Sequence, residues 1–175
     1  AIDIAENNRY ALTGSADHTL NLWDIGTGEV IRKFSGHKDI VRAVSLGQNG
    51  QIAASAGDDH SVRIWDTTIA ASFPRTTYHH GAVTIVAISH DGKVAASYSP
   101  ANLTLVFREL KTGDVLRVLK NGLGAISAIA LLPDGKKALC GYADGMVVLL
   151  DRKTGKRVRS YQAHKGEVRA ICVDE

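Results

Sequence analysis

The sequence predicts an all-β fold built from four copies of one four-stranded antiparallel unit. The first observation is a repeated text, since TGSADHTLNLWD (residues 13–24) returns as SAGDDHSVRIWD (residues 55–66). It returns again in weaker form as SYSPANLTLVFR (residues 97–108) and CGYADGMVVLLD (residues 140–151). The four copies share one register, in which Trp23, Trp65, Phe107 and Leu150 stand at equivalent places. A constant period of about 40–45 residues is typical of stacked supersecondary units.

Composition is the second observation. The 175 residues hold about four such units, and 17 glycines, 3 prolines and apolar runs rich in Val and Ile suit short strands joined by turns. No run approaches the roughly 18 apolar residues of a membrane span, and the opening residues lead us to expect no signal peptide. Two cysteines, Cys140 and Cys172, make no disulfide framework. We therefore expect reduced thiols in a cytoplasmic protein, with the nucleus as the alternative.

Alternating apolar runs and turn signals divide each unit into four strands. In the second unit they predict strands at Ile40 to Leu46, Gln51 to Ala56, Ser61 to Asp66 and Ser72 to Tyr78. The turns between the first two strands are Glu6-Asn7-Asn8, Gln48-Asn49-Gly50, His90-Asp91-Gly92 and Pro133-Asp134-Gly135. The turns before the fourth strand carry Thr27-Gly28, Thr112-Gly113 and Thr154-Gly155. The second unit has Thr68-Ile69-Ala70 there, so its loop should be longer or differently shaped.

Strand polarity predicts how the four strands lie. The first two, as in 41–46 and 52–56, are apolar almost throughout and should be buried. The fourth, as in 29–34, 115–119 and 156–161, is mixed and charged, as an outer edge should be. Such a meander is a blade, and blades stacked around an axis form a β-propeller. The predicted blades cover about 1–35, 36–78, 79–120 and 121–163, and 164–175 supplies the inner strand of a fifth.

These residues resemble the WD-repeat (WD40) β-propeller family over the whole chain. Gly36-His37 matches the family's Gly-His, and Trp23-Asp24 and Trp65-Asp66 match its Trp-Asp. Recurrence of these pairs in one register makes the resemblance specific. Family propellers usually have seven blades and close by pairing strands from the two chain ends. Since the chain begins and ends with an inner strand, we expect a segment of a larger propeller of about seven blades.

The resemblance also implies a hydrogen-bonded structural tetrad of His37, Ser55, Asp59 and Trp65. The first unit offers Thr13, Asp17 and Trp23. The third keeps His79 and Ser97, with Ala101 and Phe107 at the other two places; the fourth keeps Asp144, with Gly122, Cys140 and Leu150. We expect the third and fourth blades to open more readily, because their buried networks lack members.

Catalytic and metal sites are weighed against this structural interpretation. His37, Ser55 and Asp59 have the residue types of a nucleophile triad, but no Gly-x-Ser-x-Gly elbow surrounds Ser55 and the set recurs in register with Trp. The histidines lack metal-ligand spacing, so no metal or other cofactor is predicted. His18 and His60, at equivalent places in turns one repeat apart, are expected to adopt a left-handed conformation.

A binding surface is what remains. The resemblance implies that partners dock on the face formed by the loop before each inner strand and the turn after each second strand. The candidate residues for this partner-binding face are Lys38, Asp39, Arg42, Asp58, His80, Thr84, Lys165 and Arg169. The leading hypothesis is a non-catalytic protein–protein interaction scaffold within a larger regulatory or assembly protein.

Two alternatives stay open. Residues 1–87 carry 7 Lys/Arg against 9 Asp/Glu, whereas residues 88–175 carry 14 against 9, giving net charges of −2 and +5. This basic second half could serve a nucleic-acid-associated propeller, although no aromatic residues interleave the charges. The other alternative is a sensor propeller attached to an enzyme such as a signalling ATPase or kinase.

Overall fold

The predicted all-β fold is confirmed. The structure, a computed structural model, describes residues 1–47, 50–69, 75–120 and 124–173. These residues form four separate four-stranded antiparallel sheets, each a simple meander in chain order. Sheet one contains β1 to β4, sheet two β5 to β8, sheet three β9 to β12, and sheet four β13 to β16. The repeat seen in the sequence is therefore one sheet in length.

The strands have the following bounds. Sheet one consists of β1 Ile2–Ile4, β2 Tyr10–Gly14, β3 Thr19–Asp24 and β4 Val30–Ser35. Sheet two consists of β5 Val41–Gly47, β6 Ile52–Gly57, β7 Ser61–Asp66 and β8 Arg75–Tyr78. Sheet three consists of β9 Ile85–Ile88, β10 Val94–Ser99, β11 Thr104–Glu109 and β12 Val115–Lys120. Sheet four consists of β13 Ile126–Leu131, β14 Lys137–Tyr142, β15 Met146–Asp151 and β16 Arg157–Gln162.

Glycines with positive φ form the turns before the fourth strands, where the sequence predicts them. Gly28, Gly113 and Gly155 have φ of +72°, +82° and +72°, a conformation that glycine adopts without steric cost. Each donates its amide to the carbonyl of the residue four positions earlier. His18 and His60 have φ of +69° and +63°, which confirms the left-handed conformation expected of them. The predictions for Gln48, Asn49, Ala70, Gly122 and the first part of the strand at 72–78 lie outside the described residues.

Burial follows the predicted polarity gradient. Strand β10 is buried throughout, and β6 is buried at all but its first residue, whereas every residue of β16 is exposed. Trp65 is 1% exposed, and its ring centroid lies 5.2 Å from that of Phe34 in the preceding sheet. The apolar core therefore lies between neighbouring sheets as well as within them.

The first strands of successive sheets stack beside one another. Strand β5 lies against β1 and β2, β9 against β5 and β6, and β13 against β9 and β10. These strands surround a cavity of about 370 Å³ that is lined by Ile4, Val44, Val86, Leu131 and Ile171 among others. The arrangement places the inner strands around a common space, as the blades of a propeller do.

Residues 167–173 form no paired β-strand with the described residues, although the sequence predicts an inner strand there. A strand is recognised by its ladder of hydrogen bonds, and the described residues provide no neighbouring strand to pair with it. The segment still packs on sheet four, because Val168 is buried and Ile171 lines the cavity. It occupies the place of an inner strand without the pairing.

Candidate protein-binding face

The second sheet holds a buried polar quartet of His37, Ser55, Asp59 and Trp65. The Nε1 of Trp65 donates to Ser55 Oγ at 2.9 Å, and His37 Nε2 lies 2.7 Å from the same oxygen. The other ring nitrogen, Nδ1, lies 3.0 Å from both carboxylate oxygens of Asp59. This series of contacts joins the loop before β5 to the middle of β6 and β7, as the resemblance implies.

Asp59 is the centre of the quartet because it accepts more than one donor. The amide of Lys38 donates to Oδ2 at 3.0 Å, and the hydroxyl of Ser61 donates to Oδ1 at 2.7 Å. Burial would raise the pKa of Asp59, but these hydrogen bonds and that of His37 overcome it and lower the pKa to about 2. Burial also lowers the pKa of His37, against the opposing effect of Asp59. The carboxylate is therefore charged and the loop amide is fixed to it.

This geometry supports no nucleophilic role for Ser55. Ser55 is 0% exposed, and the side chains of His37 and Asp59 are 0% and 5% exposed. A nucleophile must reach a substrate carbonyl or phosphorus, and the Trp65 ring covers this hydroxyl and hydrogen-bonds to it. The quartet holds the loop in place rather than presenting a reactive group.

The first sheet brings together only part of its predicted set. Trp23 Nε1 donates to Thr13 Oγ1 at 2.9 Å, which repeats the contact between Trp65 and Ser55. Asp17 instead stays exposed and accepts the hydroxyl and amide of Thr19 at 2.6 and 3.0 Å. These hydrogen bonds lower the pKa of Asp17. In this sheet the carboxylate caps its own turn.

The third sheet corrects the predicted register. Ala95 pairs with Arg108 as Ala53 pairs with Trp65, so Arg108 occupies the tryptophan position and Phe107 does not. The cause is a longer turn between β10 and β11 than between β6 and β7. Residues 99–104 separate the paired Tyr98 and Leu105, whereas only 57–61 separate Ala56 and Val62. The repeat spacing conceals this change, because the strands before the turn still follow the repeat period.

His79 keeps one contact of the quartet. Its Nε2 lies 2.9 Å from Ser97 Oγ, as in the second sheet. The guanidinium of Arg108 is half-buried, and its Nε has no hydrogen-bond partner among the described residues. Burial, with a smaller effect of the Arg108 charge, lowers the pKa of His79 to about 4. The imidazole is therefore neutral, and among the described residues no carboxylate takes the role that Asp59 has for His37.

The fourth sheet replaces the quartet by apolar packing. Cys140 and Leu150 are both 0% exposed, and burial raises the pKa of the Cys140 thiol to about 12. Asp144 is exposed and accepts the amide of Met146 at 3.0 Å. Among its described residues, this sheet has no buried polar network of the kind that joins the strands of the second sheet.

The candidate binding residues lie at the end of the sheets formed by the loops before the first strands and the turns after the second strands. The amide of Asp58 donates to the carbonyl of Ile40 at 3.0 Å, so the turn after β6 touches the loop before β5. Arg42 donates to Asp58 Oδ2 from Nε at 2.8 Å and from Nη2 at 2.5 Å. These two are paired, and Arg169 pairs with Glu167 at 3.4 Å. The remaining candidates are exposed: Lys38, Asp39, His80, Thr84 and Lys165.

Contacts between the inner strands were missed by the sequence reasoning. The amide of Leu46 donates to Asp3 Oδ2 at 2.7 Å, and the amide of Ile88 donates to Ser45 Oγ at 3.1 Å. Asp3 and Ser45 stand at equivalent places one repeat apart, and each links its strand to the next sheet. The next position in this series is Ala87, which has no side-chain acceptor. The repeat period of the sequence could have identified Asp3 and Ser45 as equivalent positions.

Three general features concern the described residues as a whole. Within the described ranges, no group of three or more His, Cys, Asp or Glu side chains is arranged to hold a metal ion. The same part of the chain contains no helix with the length and apolar character that a membrane span requires. The cysteines are free, with Cys140 buried and Cys172 exposed.

Four stacked meanders with a buried His-Ser-Asp-Trp series define a blade-type repeat protein. Residues 1–24 and 28–66 match the family model described as WD domain, G-beta repeat (WD40). The first two sheets of the chain therefore match WD40 repeats. The second match begins at Gly28, so a sequence repeat starts with the fourth strand of one sheet and ends with the third strand of the next.

Two curated relatives carry the same kind of repeat. WD repeat-containing protein 81 of Homo sapiens is 38% identical over 48 residues, and its counterpart in Rattus norvegicus is 35% identical over 48 residues. Each alignment covers 27% of this chain and 2% of the relative. The chain thus spans a small part of the length of the relatives it matches.

Proposed function

We propose that this chain is a non-catalytic protein-interaction scaffold and one part of a larger regulatory or assembly protein. WD40 repeats generally serve as interaction scaffolds, and the chain is similar to a short part of much longer relatives. The observation that carries the proposal is the hydrogen bond from the Lys38 amide to Asp59, which ties an exposed loop to a buried network. A loop fixed from behind can present side chains to a partner at low entropic cost.

The chemistry of the face suits a polar protein surface. Lys38, Asp39 and Thr84 are exposed, and the paired Arg42 and Asp58 add a donor and an acceptor of fixed direction. Charged groups of both signs favour orientation and selectivity over a large apolar contact. The compartment we propose is the cytoplasm, where Cys140 and Cys172 would stay reduced, and imaging of a tagged protein tests it.

The test is quantitative capture of cellular proteins on the immobilised chain, with mass-spectrometric comparison of two matched triple variants. One variant changes Lys38, Thr84 and Lys165 to Ala on the proposed face. The control changes Lys93, Lys136 and Lys153 to Ala in turns at the opposite end of the sheets. We expect specific partners to be lost with the first variant and retained with the second. Equal retention by both variants would place binding elsewhere and contradict the proposal.

A separate binding measurement with RNA and DNA decides the nucleic-acid alternative. In the basic second half, Lys136 lies 3.1 Å from Asp134 and Lys93 lies 3.2 Å from Asp91, so part of the positive charge is paired. This pairing favours a mixed rim over a phosphate-binding patch. Salt-dependent binding of RNA or DNA that is lost on charge reversal of Lys153 and Arg157 would overturn the scaffold proposal in favour of this alternative.

A further inference from the structure

The third sheet contains a half-buried positive charge that no described residue compensates. The Nε atom of Arg108 is buried and has no hydrogen-bond partner among those residues. Arg108 forms no ion pair with any of them either, and burial lowers the pKa of its guanidinium. Arginine stays charged in proteins, and a buried charge is costly unless it is paired. The guanidinium is therefore a donor without an acceptor.

The buried arginine of the second sheet has what Arg108 lacks. Arg63 is 9% exposed, and its Nη2 lies 3.9 Å from Asp59 Oδ2. Its Nε donates to Ser61 Oγ at 3.3 Å. The second sheet thus compensates its buried guanidinium with a carboxylate and a hydroxyl of its own chain.

The turn of the third sheet has an amide in place of that carboxylate. Leu103 and His60 have φ of +50° and +63°, and each directly precedes the third strand of its sheet. Counted back from this left-handed residue, Asn102 stands where Asp59 stands in the second sheet. The Oδ1 atom of Asn102 is buried and has no partner among the described residues. Because an amide carries no charge, this turn supplies no counter-ion for Arg108.

Arg108 lies on the side of the third sheet that faces the second. It pairs with Ala95, and Ala95 pairs with Ile88. Residues paired in a row across a sheet share one face. Ile88 and Ile64 of β7 both pack on the apolar cluster between these two sheets. The Arg108 side chain therefore points into the space between sheets two and three.

The outer part of this space, between β8 and β12, is open to solvent. Val115 pairs with Arg108, and Val118 pairs two residues earlier in β11, which puts both valines on the side of the guanidinium. They are 50% and 39% exposed. From the second sheet, the exposed Arg75 donates from Nη1 to Leu110 O at 3.3 Å, which brings a second cation to this end of β11. The cleft thus combines positive charge with apolar walls.

We propose that the cleft between β8 and β12 binds a carboxylate on a short aliphatic stem, with the Arg108 guanidinium as its counter-ion. A guanidinium offers Nε and Nη to the two oxygens of one carboxylate. Val115 and Val118 cover the stem. A water molecule could satisfy Nε but would leave the charge uncompensated. The site lies between two sheets rather than on the partner-binding face, so the inference goes beyond the proposed function and does not depend on it.

The experiment is a titration of the ¹⁵N-labelled chain with sodium acetate, at an ionic strength held constant with sodium chloride. The signals followed by NMR are the Nε–H of Arg108 and the amides of 106–108 and 115–118. We expect them to shift and saturate with a dissociation constant of about 10–100 mM, the range of one charge-assisted pair. Butyrate should bind about fourfold more tightly, because it adds two half-covered methylene groups.

Matched arginine variants locate the site. Arg108→Gln should remove the saturable shifts of 106–108 and 115–118. Arg108→Lys keeps the charge but loses the planar fork, so it should bind about threefold to tenfold more weakly than the parent. Arg117→Gln is the control, because Arg117 is exposed on β12 and donates to Thr154 O of the fourth sheet. It should bind acetate as the parent does.

Two capped tripeptides, Gly-Glu-Gly and Gly-Gln-Gly, identify the source of the carboxylate. The glutamate side chain carries its carboxylate on two methylene groups, as a short free acid does. Binding of the glutamate peptide at least as tight as that of butyrate would assign the site to an acidic side chain of a polypeptide. Weaker binding would assign it to a free acid. Either result supports the site, provided that the glutamine peptide does not bind.

Four results would overturn the inference. They are the absence of a saturable shift, undiminished binding by Arg108→Gln, equal binding of the two tripeptides, and tighter binding of inorganic phosphate than of acetate. Partner capture through Lys38 and Thr84 is measured separately. Failure of this titration therefore leaves the scaffold proposal standing, and failure of the capture leaves the carboxylate site standing.

Discussion

The second and third sheets share a meander and a histidine–serine contact but differ in what surrounds that contact. In the second sheet Ser55 also accepts Trp65, and His37 faces Asp59. In the third, one extra residue in the turn between β10 and β11 brings Arg108 into the tryptophan position. The comparison teaches that the length of one turn determines whether a buried polar series is complete, while the strands themselves are unaffected.

The largest expected difference comes from the two residues in that position. Trp65→Ala should lower the free energy of unfolding by about 3–5 kcal/mol, because it empties a fully buried site against Phe34. Arg108→Ala should change it by less than about 1 kcal/mol, since a half-buried guanidinium with an unpartnered Nε is lost. Urea denaturation measures both. Equal losses would show that the two positions contribute alike and that the register argument is wrong.

Asp59 gives the next largest effect. Asp59→Ala should cost about 2–3 kcal/mol, because it leaves the Lys38 amide and His37 without their charged acceptor. Asp17→Ala is the matched control from the first sheet, where the carboxylate is exposed and accepts the hydroxyl of Thr19. We expect a cost below about 1 kcal/mol there. A control that proved as costly as Asp59→Ala would remove the distinction between a capping and a networked aspartate.

Acid should destabilise the third sheet before the carboxylate of the second is protonated. The pKa of His79 is about 4 when folded and its ordinary value is 6.5, so the unfolded chain takes up a proton first. Stability from this residue is complete above pH 6.5 and is lost as the pH falls towards 4, by about 1–3 kcal/mol. The contribution of Asp59 is lost only below its ordinary pKa of 3.8, towards 2.

The measurement is the free energy of unfolding between about pH 7 and 4 for the parent and for His79→Gln, which does not titrate. The variant should have the shallower dependence on pH. His37 also has a lowered pKa and contributes in the same range, so part of the slope should remain. An identical slope in both proteins would show that His79 is not responsible for it.

The sequence predicted the sheets well because their signals are local. Strand alternation and Gly28, Gly113 and Gly155 act within a few residues, and the structure has them where expected. The register of Arg108 was not predicted, because an inserted turn residue leaves the pattern of apolar residues intact while moving it by one place. Contacts between sheets, such as those of Asp3 and Ser45, depend on how whole sheets stack, and only the repeat period indicates them.

Amide exchange tests the comparison without substitutions. The second strands of the two sheets, 52–56 and 94–98, have nearly the same burial, so solvent access does not separate them. The free energy of local opening should differ between the two strands, because only the second sheet joins its strands through the full quartet. We expect 94–98 to exchange about tenfold faster. Slower exchange in 94–98 would mean that apolar packing compensates for the missing members.

The smallest expected difference in the free energy of unfolding comes from Ser55 and Ser97, which stand at equivalent positions in the two sheets. Ser55 contacts both His37 and Trp65, so Ser55→Ala leaves two buried nitrogen atoms without a partner. Ser97 contacts His79, and Ser97→Ala leaves one. Because an orphaned buried donor or acceptor costs about 1–3 kcal/mol, the first substitution should cost about 1 kcal/mol more than the second in urea denaturation. Both serines are buried and both changes remove one oxygen atom, so packing is matched and the difference reports the tryptophan hydrogen bond alone. If Ser97→Ala proved the costlier change, Arg108 would have to interact with Ser97, and the third sheet would hold a complete network of a different kind.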